Sequence, residues 1–182
     1  MRVITGTARG RKLTAPDGIE IRPTTDMVKE SIFSIIQFDI PGAAVLDLFA
    51  GTGQMGIEAL SRGAASVSFV DSSKQAIAAI KQNLEATELL ENAKIYPMDA
   101  KAYLMSAGEH YDIALLDPPY NKGVLVEVLP SVARHMAKNS VILCETQLQE
   151  LLPETAGDFV LRRTYRYGKV KVWMYKNDGG ED

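Results

Sequence analysis

A chain of 182 residues is the size of one domain and can bury a core without disulfide or metal staples. With 46% hydrophobic residues, 24% charged residues and a net charge of −3, it is neither a disordered chain nor a general nucleic-acid coat protein. Its single cysteine, Cys144, excludes an intrachain disulfide and suits a reducing cytoplasm. The opening MRVITGTARGRKL is too charged for a secretory signal, and no run approaches the roughly 20 apolar residues of a membrane span. A soluble cytoplasmic protein is expected.

Residues 1–42 read as a small β-rich appendage. Arg2 to Thr5 and Arg11 to Thr14 alternate like short strands about Gly6 and Gly10, and Pro16-Asp17-Gly18 follows. Thr24 or Thr25 can cap a helix from Asp26 to Phe38, whose Val28, Ile32, Ile35 and Ile36 share one face. From residue 43 strands and helices alternate. Strands are predicted over Ala44 to Phe49, Ser66 to Val70, Lys94 to Met98, Tyr111 to Leu116 and Ser140 to Cys144. Helices are predicted to about Arg62, over Ser73 to Ala86, briefly after Met98, and over Val124 to Ala137. Such alternation implies a parallel sheet covered on both faces.

The ending differs. Phe159 to Tyr167 and Lys169 to Lys176 are strand-like runs joined only by Gly168, a link that permits nothing but an antiparallel hairpin. The expected fold is therefore α/β and Rossmann-like. It has a seven-stranded, mostly parallel sheet, one reversed strand in a C-terminal hairpin, and helices on both faces. The main domain spans residues 43–176, and residues 177–182 form a frayed tail.

Val45 to Gly56 (VLDLFAGTGQMG) places a G-x-G-x-x-G loop directly after the first of these strands. Glycines there let the backbone turn tightly and approach a ligand. Asp71 ends the next strand, 20 positions after Gly51, where a ribose hydroxyl needs an acceptor. Both features also fit a nicotinamide dinucleotide, so the loop alone leaves two ligands open. Asp47 helps decide. A carboxylate beside a pyrophosphate is unfavourable, whereas beside a sulfonium and an ammonium group it is useful. Asp99, after the third strand, suits an adenine amino group. Asp47, Phe49, Gly51, Gly53, Gly56, Asp71 and Asp99 are thus the expected binding set for a cationic adenosine-bearing cofactor. Asp also caps helices, and Asp99 can do both.

Asp117-Pro118-Pro119-Tyr120 follows the apolar strand Ile113 to Leu116, at the sheet edge where open α/β folds bind ligands. Each proline fixes φ and lacks an N–H, and the first pushes Asp117 towards extended geometry. The stiff turn offers a carboxylate and carbonyl oxygens with no competing proline donor. That suits a substrate amino group, held in line for direct displacement by Asp117 and the Pro118 carbonyl. Tyr120 supplies a face on which a base can stack. The plain alternative is a strand-ending turn with a buried tyrosine.

VLDLFAGTGQMGIEALSRGA followed by LLDPPY resembles class I S-adenosylmethionine-dependent methyltransferases acting on amino groups. With RVITGTARGRKL and IRPTTDMVKESIF, the chain resembles, from Arg2 to about Lys176, the bacterial 16S ribosomal RNA guanine-N2 methyltransferases (the RsmD family). The resemblance implies S-adenosylmethionine as donor and S-adenosylhomocysteine as product, and no metal is expected. It implies a guanine of 16S rRNA as substrate, in a partly or fully assembled small subunit, and a monomeric enzyme. Asp47 and the glycine loop would hold the methionine end, Asp71 the ribose and Asp99 the adenine. Asp117, Pro118 and Tyr120 would handle the guanine, and Arg11, Arg22, Thr24 and Thr25 would place the RNA.

Charge is uneven. Residues 1–16 hold Arg2, Arg9, Arg11 and Lys12, and residues 159–176 hold Arg162, Arg163, Arg166, Lys169, Lys171 and Lys176. These ends form a phosphate-binding face if they meet, or else guard exposed strand edges. Three other readings remain: adenine-N6 methylation of DNA, a nicotinamide-dependent oxidoreductase, and a non-catalytic RNA-binding factor. His110 and His135 show no metal-ligand spacing with each other or with Cys144. Cys144, Met55 and Trp173 read as packing residues.

Overall fold

Short apolar runs alternate with amphipathic ones from residue 44 onward, and the chain folds accordingly. The computed structural model describes residues 1–15, 26–119 and 123–177. Helix α1 (Asp26–Ile35) comes first, followed by β1 (Ala44–Asp47), α2 (Gln54–Ser61), β2 (Ser66–Asp71), α3 (Lys74–Thr87), β3 (Ala93–Pro97) and α4 (Ala100–Ser106). Then come β4 (Tyr111–Leu116), α5 (Val124–Arg134), β5 (Met136–Gln147), β6 (Thr155–Ala156), β7 (Phe159–Tyr167) and β8 (Val170–Lys176).

All eight strands form one sheet in the order β3-β2-β1-β4-β5-β8-β7-β6. The pairs among β1 to β5 are parallel, and β8 lies antiparallel between β5 and β7. Successive residues of each central strand point to opposite faces and both faces are covered, so apolar residues occur on both sides of each strand, as in Val45-Leu46, Phe69-Val70 and Ile142-Leu143. On one face α1, α2, α3 and residues 1–13 pack over Val45, Phe69, Leu115, Leu143 and Val172. On the other, α4 and α5 pack over Leu46, Leu48, Leu116, Cys144 and Trp173. Among the described residues no helix is long and apolar enough to cross a membrane.

The sheet has eight strands where seven were expected. The addition, β6, is a two-residue edge strand that pairs Thr155 with Val160 and Ala156 with Phe159. The two expected N-terminal strands reduce to one antiparallel bridge, Arg2 to Lys12. The reason is where the backbone donors go. Ile4 N and Thr5 N donate to the Glu58 carboxylate at 2.8 and 3.0 Å, and Thr7 N donates to Ser61 O at 2.8 Å. Gly6 makes this approach possible, since a Cβ there would lie 1.8 Å from Ser61 O. Residues 1–13 therefore share the core of the sheet.

A buried ionic cluster fixes that seam. Glu58 and Lys29 are both fully buried, with Lys29 Nζ 3.6 Å from Glu58 Oε2 and donating to Arg2 O at 2.5 Å. Arg62 Nε donates to Glu58 Oε1 at 2.8 Å. Burial pulls the Lys29 pKa down, and Glu58 opposes the shift. Several element ends also move. Helix α1 stops at Ile35 rather than Phe38, α5 at Arg134 rather than Ala137, and β5 runs from Met136 to Gln147 rather than over Ser140 to Cys144. Asn177, expected in a frayed tail, is tied to β5 by Ser140 N donating to its Oδ1 and its Nδ2 donating to Ala137 O, both at 3.0 Å.

Candidate active site

The sheet order reverses between β1 and β4, and their C-terminal ends lie side by side, the position at which open α/β sheets form a ligand crevice. Asp47 faces Leu115 in register, and Leu48 N donates to Leu115 O at 3.2 Å. The glycine loop leaving β1 and the Asp117-Pro118-Pro119 turn leaving β4 thus start from neighbouring points. Asp47 and Asp117 line one small cavity, whose walls include Ile32, Met55, Glu145 and Val172.

Asp47 is buried at the end of β1, and its Oδ2 accepts from Gly56 N at 2.9 Å. Burial pushes its pKa up to about 7; the Gly56 amide opposes the shift and the Asp71 charge adds to it. A carboxyl desolvated in this way gains from a cation beside it. Asp71 braces the loop: its Oδ2 accepts from Gly51 N and its Oδ1 from Ser73 N, each at 2.9 Å. Gly51 and Gly53 hold φ of +56° and +79°, which glycine adopts without strain. A Cβ at Gly51 would meet no atom within 4 Å, so the loop backbone there faces open space. Gly56 is needed for another reason, because a Cβ there would lie 2.3 Å from the Phe69 ring. Together a desolvated carboxyl, a braced acceptor and a glycine turn with room beside the half-buried Gly51 fit an adenosine ligand with a cationic amino-acid end.

The other expected residues are less uniform. Phe49 is partly buried against the α4–α5 side of the core. Asp99 is exposed and caps α4, its Oδ1 accepting from Lys101 N at 2.9 Å and Ala102 N at 3.2 Å. Asp117 is half-buried, Pro118 buried and Pro119 exposed. Arg11 is anchored at the end of α3, its Nη1 donating to Ala86 O at 2.7 Å and to Glu88 Oε1 at 3.1 Å. Tyr120, Arg22, Thr24 and Thr25 lie outside the described residues.

Sequence reading missed Glu145, which ends an apolar stretch of β5 and lines the cavity at 7% exposure. The available signal was an acid closing a buried strand at the ligand-binding edge. It also missed Asn83, whose Nδ2 donates to Thr52 O at 2.9 Å and to Thr14 O at 3.0 Å, tying the N-terminal segment to the glycine loop. Among the described residues no group of three or more His, Cys, Asp and Glu side chains is placed to hold a metal ion.

Residues 1–176 match a family model described as Conserved hypothetical protein 95. The chain belongs to that family, the RsmD family. Among its relatives is a Bacillus subtilis protein provisionally named an rRNA methyltransferase, YlbH, at 42% identity, with 98% of this chain and 100% of that one covered. The Ribosomal RNA small subunit methyltransferase D of Escherichia coli K12 is 33% identical, with coverages of 98% and 90%. A solved Escherichia coli structure, provisionally described as a methyltransferase, is 34% identical and superposes with a TM-score of 0.88 over 99% of both chains. The chain has the Rossmann-like methyltransferase sheet of these relatives, reversed C-terminal strand included.

Proposed function

We propose that the chain transfers a methyl group from S-adenosylmethionine to the exocyclic N2 amine of a guanine in 16S rRNA of the small ribosomal subunit. The observation that carries this reading is the shared cavity of Asp47 and Asp117, at the point where the sheet order reverses. The names of the relatives support a small-subunit rRNA substrate.

The donor, when bound, supplies an electrophilic methyl group. Asp47 and the backbone of Gly51 and Gly53 hold its amino-acid end, Asp71 its ribose and Asp99 its adenine. Asp71 already accepts two backbone amides, and each carboxylate oxygen keeps a lone pair for a hydroxyl. On the other side, Asp117 and the Pro118 carbonyl accept the two amine hydrogens of the guanine. Its nitrogen lone pair, otherwise delocalised into the ring, is then turned towards the methyl group. Asp117 takes up the proton that the methylated nitrogen sheds and passes it to solvent. The chain thus contributes positioning and preset electrostatics. Tyr120 offers a ring to the extruded base, and Arg22, Thr24 and Thr25 help to place the RNA.

The test uses small subunits from cells lacking the gene, incubated with the protein and methyl-labelled S-adenosylmethionine, followed by digestion to nucleosides. Label in N2-methylguanosine is expected. Label in N6-methyladenosine, or in DNA offered in parallel, would overturn the reading, as would thermal stabilisation by NAD but not by S-adenosylhomocysteine.

A further inference from the structure

The β7–β8 hairpin carries charge that the donor site does not use. Between Phe159 and Lys176 there are six cations and no acid. β8 lends Val172 to the cavity wall, opposite Glu145 of β5, and the hairpin turn lies at the same end of the sheet. Val170 pairs with Gln147 at the end of β5 on one side and with Tyr167 on the other. β7 is three strand positions from β4, about 14 Å at roughly 4.8 Å per strand. A few extended nucleotides bridge such a gap.

Its side chains are arranged as well as charged. A register shift between Leu161 and Arg163 breaks the alternation of β7, the usual effect of a bulge. Leu161 packs on the α5 side, while Tyr165 and Tyr167 pack on the α1 side. The two half-buried rings are parallel within 5°, with centroids 6.5 Å apart, and the Arg163 guanidinium stands 5.3 Å from the Tyr165 centroid. On the opposite face Lys171 Nζ stands 4.6 Å from the Trp173 centroid, and Arg166 is its cross-strand partner. Of the N-terminal cations, Arg2 and Arg11 are paired with Asp26 and Glu88, and within the hairpin Lys176 is paired with Asp39. Rings position Arg163 and Lys171 without neutralising them.

We infer that this hairpin is a docking platform for single-stranded or loop RNA flanking the target base, with Arg163 and the turn residue Lys169 on phosphates and the two tyrosines, on the same face as Arg163, on bases. The inference rests on the methyl-transfer reading for its substrate class. Edge cations also discourage sheet-to-sheet pairing, and β6 covers only Phe159 and Val160 of β7. Edge protection, however, requires neither parallel rings nor a place at the cavity end of the sheet.

The experiment compares the wild type with Arg163→Glu/Lys169→Glu and with Tyr165→Leu/Tyr167→Leu, which keeps apolar bulk. Binding of a fluorescein-labelled single-stranded RNA of about 12 nucleotides is followed by anisotropy over a salt series. The charge pair should weaken binding at least tenfold, roughly, and reduce the salt slope by about 1.4, at ~0.7 per phosphate contact. The tyrosine pair should weaken binding roughly tenfold with the slope unchanged. Thermal midpoints and their rise with S-adenosylhomocysteine should stay as in wild type; if the tyrosine variant unfolds, the exposed charge pair decides alone. Wild-type affinity in the charge variant overturns the platform, even if the wild type methylates small subunits. So does equal affinity of the wild type for polyglutamate and RNA. Weakened RNA binding, with no methylation of any rRNA by the wild type, supports the platform and sinks the guanine reading.

Discussion

On the glycine-loop side of the cavity, carboxylates are bonded to the loop they serve: Asp47 to the Gly56 amide, and Asp71 to those of Gly51 and Ser73. On the other side, the turn at Asp117 is set by two prolines, which contribute acceptors and no donors. The first arrangement shapes a backbone to a ligand by hydrogen bonds. The second stiffens a corner through covalent rings. Changes on the first side should therefore cost stability and donor affinity together, and changes on the second should cost rate with donor affinity kept.

The largest expected effect tests the second side. Asp117→Ala should lower kcat by about 10²–10³-fold with donor affinity kept. A matching loss of donor affinity would break the contrast. Next, Asp71→Ala strands two backbone amides and should cost about 1–3 kcal/mol, a midpoint drop of several degrees, together with at least a roughly tenfold loss of donor affinity. Rate loss without a change in the midpoint would put Asp71 in the wrong class.

Third is pH. The folded pKa of Asp47 is raised to about 7, so the native state holds a proton that the unfolded chain has released. Its contribution to stability is present at low pH and is lost as pH rises to about 7. Binding of a cationic donor runs the other way, because it needs the ionised carboxyl. S-adenosylmethionine affinity should rise about tenfold between about pH 6 and about pH 8, and Asp47→Asn should flatten both profiles. The smallest effect is for Pro118→Ala, which loosens the corner and should lower kcat by roughly two- to fivefold, read as a change in kcat with KM for the donor unchanged.

The central sheet was legible because short, largely apolar stretches alternate with helical patterns along the parallel core, and the hairpin because Gly168 leaves no room for a crossover. β6 was not legible, since two residues carry no periodicity. Residues 1–14 showed strand-like alternation, but a side chain and a turn on α2 capture the amides that a hairpin would have used. Asp47 and Asp71 were legible because loop and strand end fixed their places. Glu145 and Glu58 were not, because a lone acid in sequence reads as surface, and only the packing of distant elements buries it. Asp99 shows the ambiguity that sequence leaves open, since its capping bonds are visible and compatible with a second partner.

Glu58 has a consequence for how the molecule is made. Chains emerge N-terminus first, yet Ile4 and Thr5 find their acceptor 54 and 53 residues later. The opening segment therefore cannot settle until α2 has formed beside it, and the loop to be closed is long. Assembly of the glycine loop and seating of the first residues become one late, concerted event. A nascent chain cut short before α2 would have a dangling arm and no cofactor cleft.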